Sequence, residues 1–245
     1  MISNRQKIIV VLIVVLAVLL YFAPKTPDES KEKTQEEVIA NNEDFTASFQ
    51  EALKKATSEQ KGLFNRIQEG LIKAQKENTE KSWTTSSDDF LRGARFIQDD
   101  NKATLYKGAI NGYRKVLELN PNNLSAKTNL GTAMVESASL LGKQPMEGIS
   151  LLREVIQKDS NNIEAILQLG LFSITSQQYS KAIERFNQIL RIDSSKIDMY
   201  VYLGDTYIAM GDKLNAINNY EKYKSQVKDT LVKKDIEEYI KKLKQ

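Results

Sequence analysis

Between Ile163 and Tyr223 the hydrophobic positions of this chain repeat with a period of 34 residues. Leu169-Gly170 recurs as Leu203-Gly204, Ala182-Ile183 as Ala216-Ile217, Phe186 as Tyr220 and Ile189 as Tyr223, with no gap. In each copy two segments carry matched positions at helical spacing: Ile166, Leu169 and Ser173, matched by Tyr200, Leu203 and Tyr207, and then Ala182, Phe186 and Ile189 with their counterparts. The pattern predicts a pair of short amphipathic helices joined as a hairpin. Gly170 or Gly204 on the first helix and Ala182 or Ala216 on the second let the two approach closely, and Gly211 suits a turn that needs positive φ. One such hairpin is too small to hide its own apolar face, so successive hairpins must stack and share a core.

The pattern continues upstream in weaker form. Leu130-Gly131, Gly148-Ile149, Leu152 and Val155 mark another hairpin, with five extra residues expected in the turn near Gly142-Lys143-Gln144-Pro145. A more degenerate unit ends in Ala109-Ile110, Tyr113, Val116 and Asn120-Pro121-Asn122-Asn123; its first helix, about Asp88 to Asn101, is inferred from Phe90, Ala94 and Ile97. Before it, Phe45, Phe49, Leu53 and Ala56, then Leu63, Ile67, Leu71 and Ala74, predict helical structure over 44–77, with Gly62 either a break between two helices or a tolerated interior residue. This segment is expected to cap the first repeat, or alternatively to dimerise or add a binding arm. Asn78 to Ser87 reads as a loop that ends in an N-cap near Ser87 or Asp88 and is anchored by Trp83, so the N-terminal segment and loop span 44–87. At the far end Leu231, Ile236, Tyr239, Ile240 and Leu243 form the apolar face of a capping helix within 228–245.

Tyr200-Val201-Tyr202-Leu203-Gly204-Asp205-Thr206-Tyr207 and Ala216-Ile217-Asn218-Asn219-Tyr220 closely match the signature of the tetratricopeptide repeat, which this stretch resembles. Ser173 and Ser194 stand where the family prefers Tyr and Pro. The resemblance covers about 88–227, as units 88–123, 124–162, 163–196 and 197–227. It implies an all-α, right-handed superhelical solenoid whose first helices line a concave groove for peptide or protein segments. In this chain that groove side carries Thr128, Thr132, Val135, Leu167, Leu171, Ile174, Val201, Asp205 and Ile208, an expected apolar strip. Members that clamp a terminal carboxylate use Lys and Asn where this chain has Thr128, Leu167 and Val201, so that specialised activity is not implied.

A different pattern begins the sequence. After Arg5 and Lys7, residues 8–23 run without a charge and are rich in Val, Leu and Ile. As a helix the run is roughly 24 Å long against a hydrocarbon core of about 30 Å, which predicts a single transmembrane anchor with Arg5, Lys7 and Tyr21 reaching the interfaces. Tyr21-Phe22 before Ala23, and Pro24 after it, make a poor context for the alternative, a cleaved signal peptide. Residues 1–7 then form a short cytoplasmic tail, 24–43 a polar tether, and the rest an extracytoplasmic domain. Lys25, Lys31 and Lys33, on the other side of the span, argue for the reverse orientation.

Composition then narrows the chemistry. The chain has no Cys and no His, which removes disulfides, thiolate nucleophiles, the usual zinc sites and the commonest general base. A net charge of +3 with both signs interspersed gives no basic stripe for nucleic acid. The matches of Ser30-x-x-Lys33 and Ser58-x-x-Lys61 to a nucleophile pair lack accompanying motifs, so no enzyme, cofactor or metal site is expected. The expected role is a scaffold of the bacterial cytoplasmic membrane that binds protein partners in the cell envelope, as similar anchored repeat proteins do, by assisting complex assembly or holding exported chains. The alternative is an organellar or cytosol-facing receptor for targeting peptides.

Overall fold

The computed structural model describes residues 45–245, of which Ser48–Gln245 form one compact unit. Residues 45–55 are helical (α1), followed by α2 (Ser58–Glu77), α3 (Glu80–Phe96), α4 (Asn101–Leu119), α5 (Leu124–Ser137), α6 (Met146–Lys158), α7 (Ile163–Thr175), α8 (Tyr179–Ile192), α9 (Asp198–Ala209), α10 (Lys213–Gln226) and α11 (Thr230–Leu243). No strand occurs among the described residues. The anchor expected at 8–23, the tail before it and the tether at 24–43 lie outside the described residues. Among the described residues no helix is long and apolar enough to cross a membrane.

Helices pair in sequence: α3 with α4, α5 with α6, α7 with α8 and α9 with α10, each pair packing on the next, with α2 against α3 and α11 against α10. The close helix approach expected from Gly170 and Gly204 is present. A Cβ at Gly170 would lie 2.6 Å from the Phe186 ring, and one at Gly204 2.5 Å from the Tyr220 ring. The core is shared across the layers, because Ile166, Ala182, Phe186 and Ile189 cluster with Met199 and Leu203 of the following hairpin. This is the physical content of the repeat, since each hairpin buries its face on its neighbour.

Turns and linkers follow from local chemistry. The last three hairpins close with the same pair of backbone bonds. In α9–α10 the Asp212 N–H donates to Tyr207 O at 2.9 Å and the Gly211 N–H to Ile208 O at 2.9 Å, with Gly211 at φ +79°. Gly142 (φ 62°) serves the longer turn of α5–α6, where the extra residues were expected, and Gln177 (φ 59°) serves α7–α8. Between hairpins, the Asn123 and Asn162 side chains accept from the Ala126 and Ala165 N–H groups and so cap α5 and α7.

The first hairpin departs from expectation. The stretch 78–87 is not a loop, because α3 starts at Glu80 and is capped by Thr79 in a reciprocal bond with Ser82. Trp83 therefore sits on a helix, half-buried, and its indole N–H donates to Asn78 Oδ1 at 2.9 Å. The first unit begins near residue 80 instead of 88. In the N-terminal segment the break falls at Ala56–Thr57, with Thr57 and Gln60 forming a capping box, and Gly62 lies inside α2. Phe49 stacks on Phe64 at 5.9 Å and meets Phe90 edge-on at 5.2 Å, so the N-terminal helices do cover the first hairpin. On α11 only Ile240 is fully buried; Leu231 is 73% exposed and is not part of the capping face.

Candidate functional site

The nine groove residues do not form one open apolar strip. Thr128 and Thr132 are buried, the former with its hydroxyl donating to Leu124 O at 2.9 Å, and Val135 packs on the α6–α7 core. Leu167, Leu171 and Ile174 are brought together, half-buried, against the core of Phe186 and Leu203. Val201 and Ile208 pack into the cluster of Tyr220 and Ile240 that holds the terminal helix. Asp205 is exposed but engaged, accepting from the Tyr220 hydroxyl at 2.6 Å. These half-buried aliphatic side chains also join the layers of the stack, which narrows the apolar surface they leave open.

Open concavity lies between successive second helices. One cleft of about 340 Å³ separates α6 from α8 and is lined by Arg153, Ile156, Gln157, Leu169, Glu184, Arg185 and Gln188. A second of about 380 Å³ separates α8 from α10, with Asn187, Leu203, Tyr207, Asn218, Asn219 and Lys222 among its walls. They are one site built twice. Arg153, Leu169, Glu184, Arg185 and Gln188 stand 34 positions before Asn187, Leu203, Asn218, Asn219 and Lys222. Each has a buried leucine as its floor and polar side chains as its rim.

Their chemistry differs. In the second cleft Tyr207 occupies the floor's edge and the rim is largely amide. In the first, the position equivalent to Tyr207 is Ser173, and the room left by the missing ring is taken by Arg185, whose guanidinium donates to Ser173 Oγ at 2.6 Å. Burial, and then the like charge of Arg153, lower the pKa of Arg185; Glu184 opposes the shift. Arg153 makes no hydrogen bond or ion pair among the described residues. None of these lining residues is among the nine expected on the groove side of the first helices. The signal was there in the polar residues that recur beside Phe186 and Tyr220 at the same interval.

No cluster of acidic side chains fit for a metal occurs among the described residues. Two polar networks fasten the first hairpin to the second. Asp88 accepts from the Tyr113 hydroxyl at 2.5 Å and from Asn129 at 3.4 Å, while Glu136 accepts a forked pair of bonds from Arg95 at 2.8 and 3.0 Å and one from Tyr106 at 3.2 Å. Burial first, then the Glu136 carboxylate, push the Tyr106 phenol up to about 12.

Residues 197–225 match the family model of the tetratricopeptide repeat. The match falls on the α9–α10 hairpin. Among solved structures the chain is similar in fold to MamA 41-end from Desulfovibrio magneticus RS-1, with 17% identity over 75% of this chain and 93% of that one, at a TM-score of 0.52. Another crystal structure of MamA shares 27% identity over 59% of this chain and 73% of that one, at a TM-score of 0.45. YrrB, described as a TPR protein with an unusual peptide-binding site, shares 18% over 69% and 97%, at 0.44. A curated relative, the RNA polymerase-associated protein CTR9 of Saccharomyces cerevisiae, is 30% identical over 130 residues, which is 51% of this chain but only 11% of that protein.

Proposed function

We propose that the chain is a protein-interaction scaffold, held at a bacterial cytoplasmic membrane by residues 8–23 and displaying its helical stack on the extracytoplasmic side. The observation that carries the scaffold reading is the repetition of one cleft at an interval of one repeat, since a ligand surface with the period of the fold suits an extended polypeptide. Two such clefts of several hundred Å³ each accept side chains, and a few well-placed anchors support micromolar affinity after the cost of association. The charge-free run supports the anchor, and the positive charges of Arg5 and Lys7 before it support the orientation.

Crosslinking the full chain in intact cells, capturing it and mapping the crosslinked positions tests the scaffold. Crosslinks to a partner at the α6–α8 and α8–α10 clefts are expected. A partner held only through the Leu167, Leu171 and Val201 face, or none held, overturns it. Lys25, Lys31 and Lys33 beyond the span favour the reverse topology, a receptor facing the cytosol or an organelle that binds targeting peptides. An impermeant amine reagent applied outside intact cells separates the two, by labelling lysines beyond position 25 only in the proposed orientation.

A further inference from the structure

The cleft between α6 and α8 holds two arginines that have no ion-pair partner among the described residues. Arg185 is half-buried and held in place by its bond to Ser173 Oγ, which itself donates to Leu169 O at 2.7 Å, so the guanidinium is positioned before any ligand arrives. Arg153, on α6, lines the same cleft, its charge is felt at Arg185, and it makes no hydrogen bond or ion pair among the described residues. Glu184 is the one carboxylate in the lining, and it forms no ion pair with either. Two like charges facing a shared concavity are a cost unless an anion sits between them. Guanidinium groups are suited to forked bonding of a carboxylate.

The lining identifies the anion. Two positive charges against one negative leave a single excess charge, which a carboxylate balances and a doubly charged phosphate exceeds. The cleft is far larger than a carboxylate and is floored by Leu169 and Ile156, so the anion arrives with an apolar neighbour. One repeat further along α8 the equivalent cleft offers the amides of Asn187, Asn218 and Asn219, groups that pair with a peptide backbone. We propose that the α6–α8 cleft receives the side-chain carboxylate of an acidic residue in a partner peptide, bound by Arg153 and Arg185 while an adjacent apolar side chain rests on Leu169 and Ile156. This rests on the scaffold reading and adds the chemistry of the partner.

The test is binding of an end-blocked hexapeptide of alternating glutamate and leucine to the full-length protein in micelles, read by fluorescence anisotropy and by the NMR signals of the arginine Nε groups. Three competitors accompany it: the glutamine counterpart, that counterpart with a free C-terminus, and inorganic phosphate. The glutamate peptide is expected to bind and to shift the Arg153 and Arg185 signals, and Arg153→Gln with Arg185→Gln weakens it by about tenfold or more, the loss of a charge-assisted pair. Lys233→Gln with Lys242→Gln removes the same charge from α11 and leaves binding unchanged. Arg153→Gln alone, at an exposed position with no bond to lose, keeps the test decisive if Arg185→Gln disturbs the fold. Equal binding of glutamine and glutamate peptides, equal loss in the lysine variant, or equal competition by phosphate or a free chain end overturns the proposal. If crosslinked partner still maps to the two clefts in the double arginine variant, the scaffold stands and the carboxylate site falls; if the wild type captures nothing there, the scaffold itself falls.

Discussion

The first hairpin, α3–α4, and the last, α9–α10, close the same contact from opposite sides. In both, a tyrosine on the second helix donates to an aspartate on the first: Tyr113 to Asp88 and Tyr220 to Asp205, at 2.5 and 2.6 Å. That pairing aligns Trp83, Ser86-Ser87 and Phe90 with Tyr200, Leu203-Gly204 and Tyr207. The last hairpin places its small residue, Gly204, on the first helix under the Tyr220 ring. The first hairpin puts Ser87 there and moves the glycines to the second helix. A Cβ at Gly112 would lie 2.2 Å from Ser87 Oγ, and one at Gly108 would lie 2.4 Å from the Phe90 ring. The second hairpin, α5–α6, uses a third arrangement, Gly131 against Gly148, where an added Cβ on either meets the other's carbonyl oxygen at 2.8 or 2.6 Å. Close approach is what the fold requires; which helix supplies the missing side chain is free.

The sharpest way to break the parallel is at the aromatic ring. Phe90 is fully buried and Tyr207 is half-buried, so Phe90→Ala is expected to cost about 3–5 kcal/mol and Tyr207→Ala about 1–2 kcal/mol less, measured by denaturant unfolding. Equal losses would mean that Phe90 is not the first hairpin's counterpart of a core aromatic. Next in size, Gly108→Ala overpacks against Phe90 and costs about 1–3 kcal/mol. In a Phe90→Leu background the cost should shrink, and a double-mutant cycle without coupling would refute the swapped contact.

The tyrosine pairs give a pH prediction. Burial, ahead of the partner carboxylates, raises Tyr113 and Tyr220 well above the ordinary phenol value, as it raises Tyr106. A raised folded pKa contributes stability that is complete below the unfolded value of about 10 and is lost as pH climbs through the folded value. Unfolding free energy should therefore fall steadily from about pH 10 upward. Tyr113→Phe removes one group from that slope and costs about 1–2 kcal/mol near neutrality, because Asp88 keeps only Asn129. An unchanged alkaline slope would show that Tyr113 ionises normally. The smallest effect is at the turns. Gln177 holds a positive φ where the last hairpin has Gly211, and Gln177→Gly is expected to stabilise by about 0.5–1 kcal/mol, detectable as a raised Tm.

These contrasts explain what was legible in the chain. The last two hairpins could be read because their glycine, leucine and aromatic positions recur without a gap. The first hairpin starts eight residues before its expected position because Ser86-Ser87 stand where the repeat has Leu-Gly, and because Ser87 to Ala109 spans 22 positions where Gly204 to Ala216 spans 12. Both of its helices are longer at the turn end, which breaks the register on which recognition depends. The candidate site was less legible still. Leu167, Leu171 and Val201 are half-buried and pack between layers, so how much of the aliphatic face of the first helices stays open is set by the stacking and not by the sequence pattern.

By itself, the sequence determined that this protein is a stack of helical hairpins, because a 34-residue rhythm of apolar and small residues has no other way to bury its faces. Tertiary structure alone decided which surfaces remain available. Whether a half-buried leucine faces a neighbour or solvent depends on how far the next layer leans over it, and two arginines 32 positions apart become one site only when α6 and α8 lie side by side.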